Sequence, residues 1–155
     1  MKKLITIGML LSFWICSGNL YAQGSKLIVG ERAPDLKIRE WAAGGAAASG
    51  IPQLVEFFHS TSPLSEERLE TLGALAGKYR GRLAVVVIAR ESREKIALLL
   101  TNSHLFSVAL DDNGKTFGAY QVQFVPFSVL IDGRGRVRWF GNSADLTDEI
   151  IQKNL

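Results

Sequence analysis

The stretch Leu54-Val55-Glu56-Phe57-Phe58-His59-Ser60-Thr61-Ser62-Pro63-Leu64-Ser65 decides the reading of this chain. Leu54 to Phe58 is a compact apolar run interrupted by one charge, Glu56, and reads as a strand. Four polar residues follow, and then a helix start. Ser62 suits the N-cap because its oxygen can accept an unpaired backbone N–H. Pro63 suits the first helical position, where its missing N–H is not needed. Glu66 and Glu67 fall in the first turn, where the helix dipole favours them. Leu69, Leu72, Ala76 and Tyr79 then recur at helical spacing as one core-facing stripe, with Gly77 and Gly81 bracketing its end.

Downstream of this unit the pattern alternates. Leu83 to Ala89 is an unbroken apolar run, expected of a strand covered on both faces. A second helix is expected over Ser92 to Asn102, with Ile96, Leu99 and Leu100 inward. Phe106 to Leu110 reads as a short strand, and Asp111-Asp112-Asn113-Gly114 as a turn. Phe127 to Ile131 and Val137 to Phe140 flank Asp132-Gly133-Arg134-Gly135 as a hairpin, and Leu146 to Asn154 closes the chain as a helix. Upstream, Leu36 to Trp41 is a short alternating run, and Ala42 to Gly50 a Gly/Ala-rich loop. The order implies an α/β domain with a partly parallel central sheet and antiparallel strands at its end.

The N-terminus reads differently. Lys2 and Lys3 precede an almost wholly apolar run, Leu4 to Ile15, and Leu20-Tyr21-Ala22 offers a small residue before a cut that would leave Gln23 first. Residues 1–22 are therefore expected to be an export signal and residues 23–155 the folded domain, in an extracytoplasmic compartment such as the bacterial periplasm. The apolar run falls short of the roughly 20 residues needed to span a bilayer, so no membrane span is expected. The chain's one cysteine, Cys16, sits within this segment. Lipid anchoring through Cys16 is the competing reading, but Ile15 precedes it where such signals carry Gly, Ala or Ser.

The whole chain carries 18 basic and 15 acidic residues. Without Lys2 and Lys3 the balance is 16 to 15, which gives no electrostatic case for nucleic acid. At 47% hydrophobic and 21% charged residues, the composition is that of a globular domain rather than a disordered one.

Three segments together resemble the periplasmic thioredoxin-like thiol–disulfide oxidoreductases related to TlpA and ResA. Val29-Gly30-Glu31-Arg32-Ala33-Pro34-Asp35-Leu36 is similar to an entry motif shared with peroxiredoxins. Leu54 to Ser65 is similar to the strand-to-helix segment that carries the family's C-P-x-C site. Val125-Pro126-Phe127-Ser128-Val129-Leu130-Ile131-Asp132-Gly133-Arg134-Gly135-Arg136-Val137 is similar to its cis-proline loop and following hairpin. The resemblance implies a thioredoxin fold, a central mixed β-sheet flanked by helices, over essentially all of residues 23–155.

The same resemblance exposes a departure. Ser62 and Ser65 stand where the family has its two cysteines, and Glu56 matches its buried acidic residue. A helix N-terminus lowers a thiol's pKa enough to supply a thiolate near neutral pH, whereas a serine hydroxyl stays un-ionised and forms no disulfide. Residues 23–155 contain no cysteine, so no catalytic residue of the family's chemistry remains, and a peroxiredoxin mechanism fails for the same reason.

What remains is a surface. The resemblance implies that the backbone at Val125-Pro126 can pair with an extended chain, as in strand addition; equally, Pro126 could serve only to shape its loop. The candidate binding residues are thus Thr61, Ser62, Pro63, Leu64, Ser65, Val125, Pro126 and Phe127, with Glu56, Ser62 and Ser65 the degenerate active-site positions. The expected ligand is an extended peptide or a partner protein; no cofactor and no metal are expected. A cysteine-bearing partner in envelope redox homeostasis is the alternative, and a purely structural subunit a third class. A Ser62–His59 hydrolase pair lacks a G-x-S-x-G elbow and any visible orienting acid. Two scattered histidines, His59 and His104, make no convincing zinc site. Arg134, Arg136 and Arg138 read as a solvated strand face.

Overall fold

In the computed structural model, described for residues 26–101 and 103–155, six strands form one mixed sheet. The expected export signal and Cys16 lie outside the described residues. In chain order the elements are β1 (Glu40–Ala43), β2 (Gln53–Phe58), α1 (Pro63–Lys78), β3 (Ala84–Ala89), α2 (Ala97–Thr101), β4 (Ser107–Leu110), α3 (Lys115–Ala119), β5 (Phe127–Ile131), β6 (Val137–Asn142) and α4 (Asp148–Lys153). The strands lie in the order β1-β4-β3-β2-β5-β6. The central trio β2, β3 and β4 is parallel, while β1, β5 and β6 join antiparallel.

Two residues in period place side chains on opposite faces of a strand, and β2 shows the consequence. Leu54 and Phe58 join Val85, Val87, Val108 and Leu130 beneath α1 and α4, whose Leu69, Leu72, Ala76 and Ile151, with Tyr79 at the C-cap of α1, cover that face. Val55 and Phe57 point the other way, with Val86, Ile88, Val129 and Tyr120, into a second core roofed by the N-terminal segment and α3. Glu56 shares the α1 side with Leu54 and Phe58 and is therefore buried. The buried stripe expected along α1 is present at all four positions.

The boundaries differ from the sequence reading in four places, each for a local reason. The alternating run Leu36 to Trp41 is not a strand along its length: the N–H of Lys37 donates to Thr116 Oγ1 at 3.1 Å, and pairing begins at Glu40 and extends into Ala42 and Ala43, residues read as loop. The expected helix from Ser92 is α-helical only from Ala97, because its opening bonds, Lys95 N to Ser92 O and Ile96 N to Arg93 O, span three residues rather than four. Leu146 is a core residue outside α4, whose N-cap is Thr147, accepting from the Ile150 N–H at 3.3 Å. The short helix α3 was not expected; Lys-Thr-Phe-Gly-Ala is too brief to show a period and contains a glycine. It is held by Asp111, whose Oδ2 accepts the Phe117 N–H at 2.8 Å.

Candidate functional site

Parallel strands bring their carboxyl ends to one side of a sheet, the usual location of sites in such folds. Here the segment after β2 meets the segment after β3. Glu91, just past β3, is buried and accepts the Ser60 N–H at 2.7 Å through Oε2 and the Ser60 hydroxyl at 2.5 Å through Oε1. His59 Nδ1 accepts the Thr61 N–H at 3.3 Å and lies 2.9 Å from the Thr61 hydroxyl, with Glu91 Oε1 at 3.7 Å.

Ser62 caps α1: its Oγ accepts the Ser65 N–H at 3.3 Å, as its residue type and the following proline lead one to expect. That use of Ser62 bears on the hydrolase reading. The structure supplies an acid beside His59 that the sequence did not reveal, Glu91, but the hydroxyl near His59 belongs to Thr61 rather than Ser62.

β5 runs antiparallel to β2, with Phe127 opposite Phe57, so the segment before β5 reaches the same end of the sheet. The Val125–Pro126 peptide bond is cis. Pro126 is buried, and its carbonyl accepts the Ser143 N–H at 3.3 Å. The N–H and C=O of Val125 find no partner among the described residues. Beside it Phe124 is 49% exposed and stacks edge-on against Phe127, and Leu64, in the first turn of α1, is 60% exposed.

Behind this surface lies a buried polar cluster. Glu56 is 1% exposed. Its Oε1 accepts from Ser143 Oγ at 2.5 Å, its Oε2 accepts from Ser128 Oγ, and the two hydroxyls are 2.8 Å apart. Burial raises the carboxyl's pKa to about 7, against the lowering effects of the two serines and of the Arg68 charge. Burial in turn lowers the proton affinity of Arg68, which Glu56 partly restores.

No family model matches this chain. Among curated proteins, the methylamine utilization protein MauD of Paracoccus versutus is 26% identical over 113 residues, which is 71% of this chain and 56% of that protein. The chain thus spans little more than half the length of the curated relative it matches. Among solved structures, the C-terminal domain of a candidate thiol-disulfide oxidoreductase from Bacteroides thetaiotaomicron superposes with a TM-score of 0.68 at 17% identity, covering 83% of this chain and 94% of that one. A thiol-disulfide isomerase from Corynebacterium glutamicum gives 0.61 at 16%, covering 78% and 91%. A secreted disulfide oxidoreductase from Mycobacterium tuberculosis gives 0.55 at 19%, covering 68% and 79%. The protein has a thioredoxin fold.

Within that fold the expected site residues divide. Thr61, Pro63 and Leu64 are exposed, Ser62 and Val125 half-buried, and Pro126 and Phe127 buried. The large apolar side chains exposed on these two segments are Leu64 and Phe124. Ser65 is 1% exposed, on the inner face of α1, so a chain lying on the surface does not reach its hydroxyl. A signal for this existed: Ser65 lies four residues before Leu69 and seven before Leu72, in phase with the buried stripe.

The sequence reading missed Arg68, Glu91, Ser128 and Ser143. Ser128 was the most legible of them, a lone polar residue in an apolar strand, directly opposite Glu56 in register. Glu91 and Ser143 carry no local signal. Among the described residues no helix is long and apolar enough to cross a membrane, and no three His, Cys, Asp or Glu side chains cluster as metal ligands would.

Proposed function

We propose that this protein is an exported accessory module on the thioredoxin fold that performs no thiol–disulfide exchange of its own. It holds an extended peptide, or an extended segment of a partner protein, across Thr61 to Leu64 and Phe124-Val125. The observation that carries this reading is the unpartnered backbone of Val125 beside exposed Phe124, at the end of the sheet where α1 starts with exposed Leu64. A peptide strand would satisfy the backbone groups by strand addition, and the two side chains would give it apolar anchorage. The serines at 62 and 65 account for the missing catalysis, since neither can supply a thiolate.

The names of the similar structures motivate a second reading, in which the occupant is a partner's cysteine-bearing segment. In that case the module would serve envelope redox chemistry carried out by the partner.

The test has two arms. The purified protein should be inert in insulin reduction, whereas the Ser62→Cys/Ser65→Cys double variant should form an intramolecular disulfide reversibly and reduce insulin; activity in the wild type would overturn the non-catalytic reading. An unbiased extended-peptide library screened on the wild type should yield ligands whose binding falls at least tenfold in Phe124→Asp and Leu64→Asp. Ligands unaffected by both substitutions would move the site elsewhere. Enrichment of cysteine in the selected peptides, with binding lost on its replacement by serine, would favour the second reading. Export is checked by N-terminal sequencing of the envelope form, expected to begin at Gln23.

A further inference from the structure

On the face of the sheet away from α1 lies a cavity of about 430 Å³, within the range of roughly 300–1,000 Å³ usual for small-molecule sites. It sits at the far end of β2 and β5 from the proposed peptide surface. Gln53, the first residue of β2, lines it together with its register partner Ile131, the last residue of β5. Strand alternation puts Gln53 on the same face as Val55 and Phe57. The segment leading to β1 roofs the cavity and is pinned by four hydrogen bonds. The Ala33 N–H donates to Gly135 O at 2.9 Å, and the Val137 N–H to Glu31 O at 2.9 Å. The Tyr120 hydroxyl donates to Pro34 O at 2.7 Å, and the Lys37 N–H to Thr116 Oγ1 at 3.1 Å. A wall fixed at so many points is preformed, as small-molecule sites are. Ala46 and Ala47, from the Gly/Ala-rich loop, complete the rim with side chains too small to fill it. The far end of that loop is held as well, since a Cβ on Gly133 of the hairpin would collide with the Gly50 carbonyl.

Leu36, Ile38, Trp41 and Ile131 make the interior apolar, while Arg32 and Asp35 bring opposite charges to it. These two lie three residues apart on one segment, yet they form no ion pair with each other or with any described residue. We propose that the cavity binds a small zwitterion with an apolar body, of the kind presented by a free amino acid with a branched or aromatic side chain. Its carboxylate would meet Arg32, its ammonium Asp35, and its side chain Leu36, Trp41 and Ile131. The charges select this class. A simple anion would suit Arg32 and be repelled by Asp35, and a simple cation the reverse. An uncharged apolar molecule would strip water from both charges and return nothing. The zwitterion answers each charge with its opposite, and the Gln53 amide, which both donates and accepts, can serve either end. The cavity and the surface from Thr61 to Leu64 with Val125 lie at opposite ends of the sheet, so occupancy of one does not require occupancy of the other.

The experiment is calorimetric titration of the purified protein with L-leucine and L-phenylalanine, followed by NMR of its indole and amide N–H groups. Each amino acid is compared with its own amine and its own acid: isoamylamine and isocaproate for leucine, phenethylamine and hydrocinnamate for phenylalanine. At least one amino acid should bind saturably, move the Trp41 indole and Gln53 amide signals, and bind at least tenfold more tightly than its amine or acid. Arg32→Gln should reduce that amino acid to the affinity of its amine, and Asp35→Asn to the affinity of its acid. Both positions are exposed, so neither change removes core packing. Ala47→Trp should block the cavity and abolish binding. No saturable binding of either amino acid at millimolar concentration would overturn the inference. So would an amine or acid that binds as tightly as the zwitterion, binding that survives Ala47→Trp, or signals that move at Leu64 and Phe124 instead.

Discussion

Glu56 in the middle of β2 and Glu91 just past the end of β3 are both buried carboxylates on neighbouring strands, and they are satisfied in opposite ways. Glu56 receives two side-chain hydroxyls, one from β5 and one from the 3-10 turn at Ser143–Asp145. Glu91 receives a backbone N–H and a hydroxyl from a single residue, Ser60. The first carboxylate joins three pieces of the interior across long sequence separations. The second fixes the shape of one surface segment, the turn that leads into α1. Hydroxyls can reorient to suit a protonated carboxyl, so the interior cluster can keep its hydrogen bonds when Glu56 changes protonation.

The largest expected effect is at Glu56 and is read through pH. Burial pushes the carboxyl of Glu56 up to about 7 in the folded protein, from the ordinary glutamate value of 4.5. Its folded pKa is raised, so the stability it contributes is fully present below the unfolded value and is lost as pH rises through 7. Integrated over that interval the loss is on the order of 3 kcal/mol. Glu56→Gln should therefore flatten the fall in denaturation midpoint between about pH 4.5 and 7. A wild type equally stable at pH 5 and pH 8 would remove the contrast.

Next in size, Glu91→Ala should cost about 2 kcal/mol, the scale of hydrogen bonds to a charged acceptor. The loss should be accompanied by faster amide hydrogen exchange at Ser60. If the Ser60 amide exchanges at its wild-type rate, Glu91 is not what holds the turn.

Ser143→Ala should cost about 1 kcal/mol above neutral pH and less in acid, because it removes a donor that favours the ionised Glu56. The Glu56 midpoint should rise further in this variant, by NMR titration. A midpoint that stays or falls would show that the hydroxyl serves the neutral form instead.

The smallest stability change is expected at the surface. Leu64→Ala should alter stability by less than about 0.5 kcal/mol, as for exposed positions generally. It should nonetheless weaken binding of any peptide selected on the wild type. A large destabilisation would mean that Leu64 belongs to the packing of α1 and not to a ligand surface.

The elements with dense local pattern were legible from residues alone. The apolar runs of β2, β3 and β5, the Ser62-Pro63 start of α1 and its buried stripe all follow from period and capping chemistry, which act within a few neighbouring residues. Where local signals are short or mixed, the reading slipped: the first turns of the expected second helix close over three residues, and α3 is too short to show a period. The same division runs through the site. That positions 62 and 65 are serines, in a chain whose one cysteine is Cys16, is written in the sequence and excludes a thiolate there without any coordinates. Which serine faces outward was half-written, in the phase of Ser65 with Leu69 and Leu72. That Glu56 meets Ser143 across 87 residues, that Glu91 clamps Ser60 across 31, and that Val125 keeps its backbone unpartnered could be decided only by the tertiary structure. Strand order and register bring those groups together, and both are set by the packing of the whole sheet rather than by any stretch of chain.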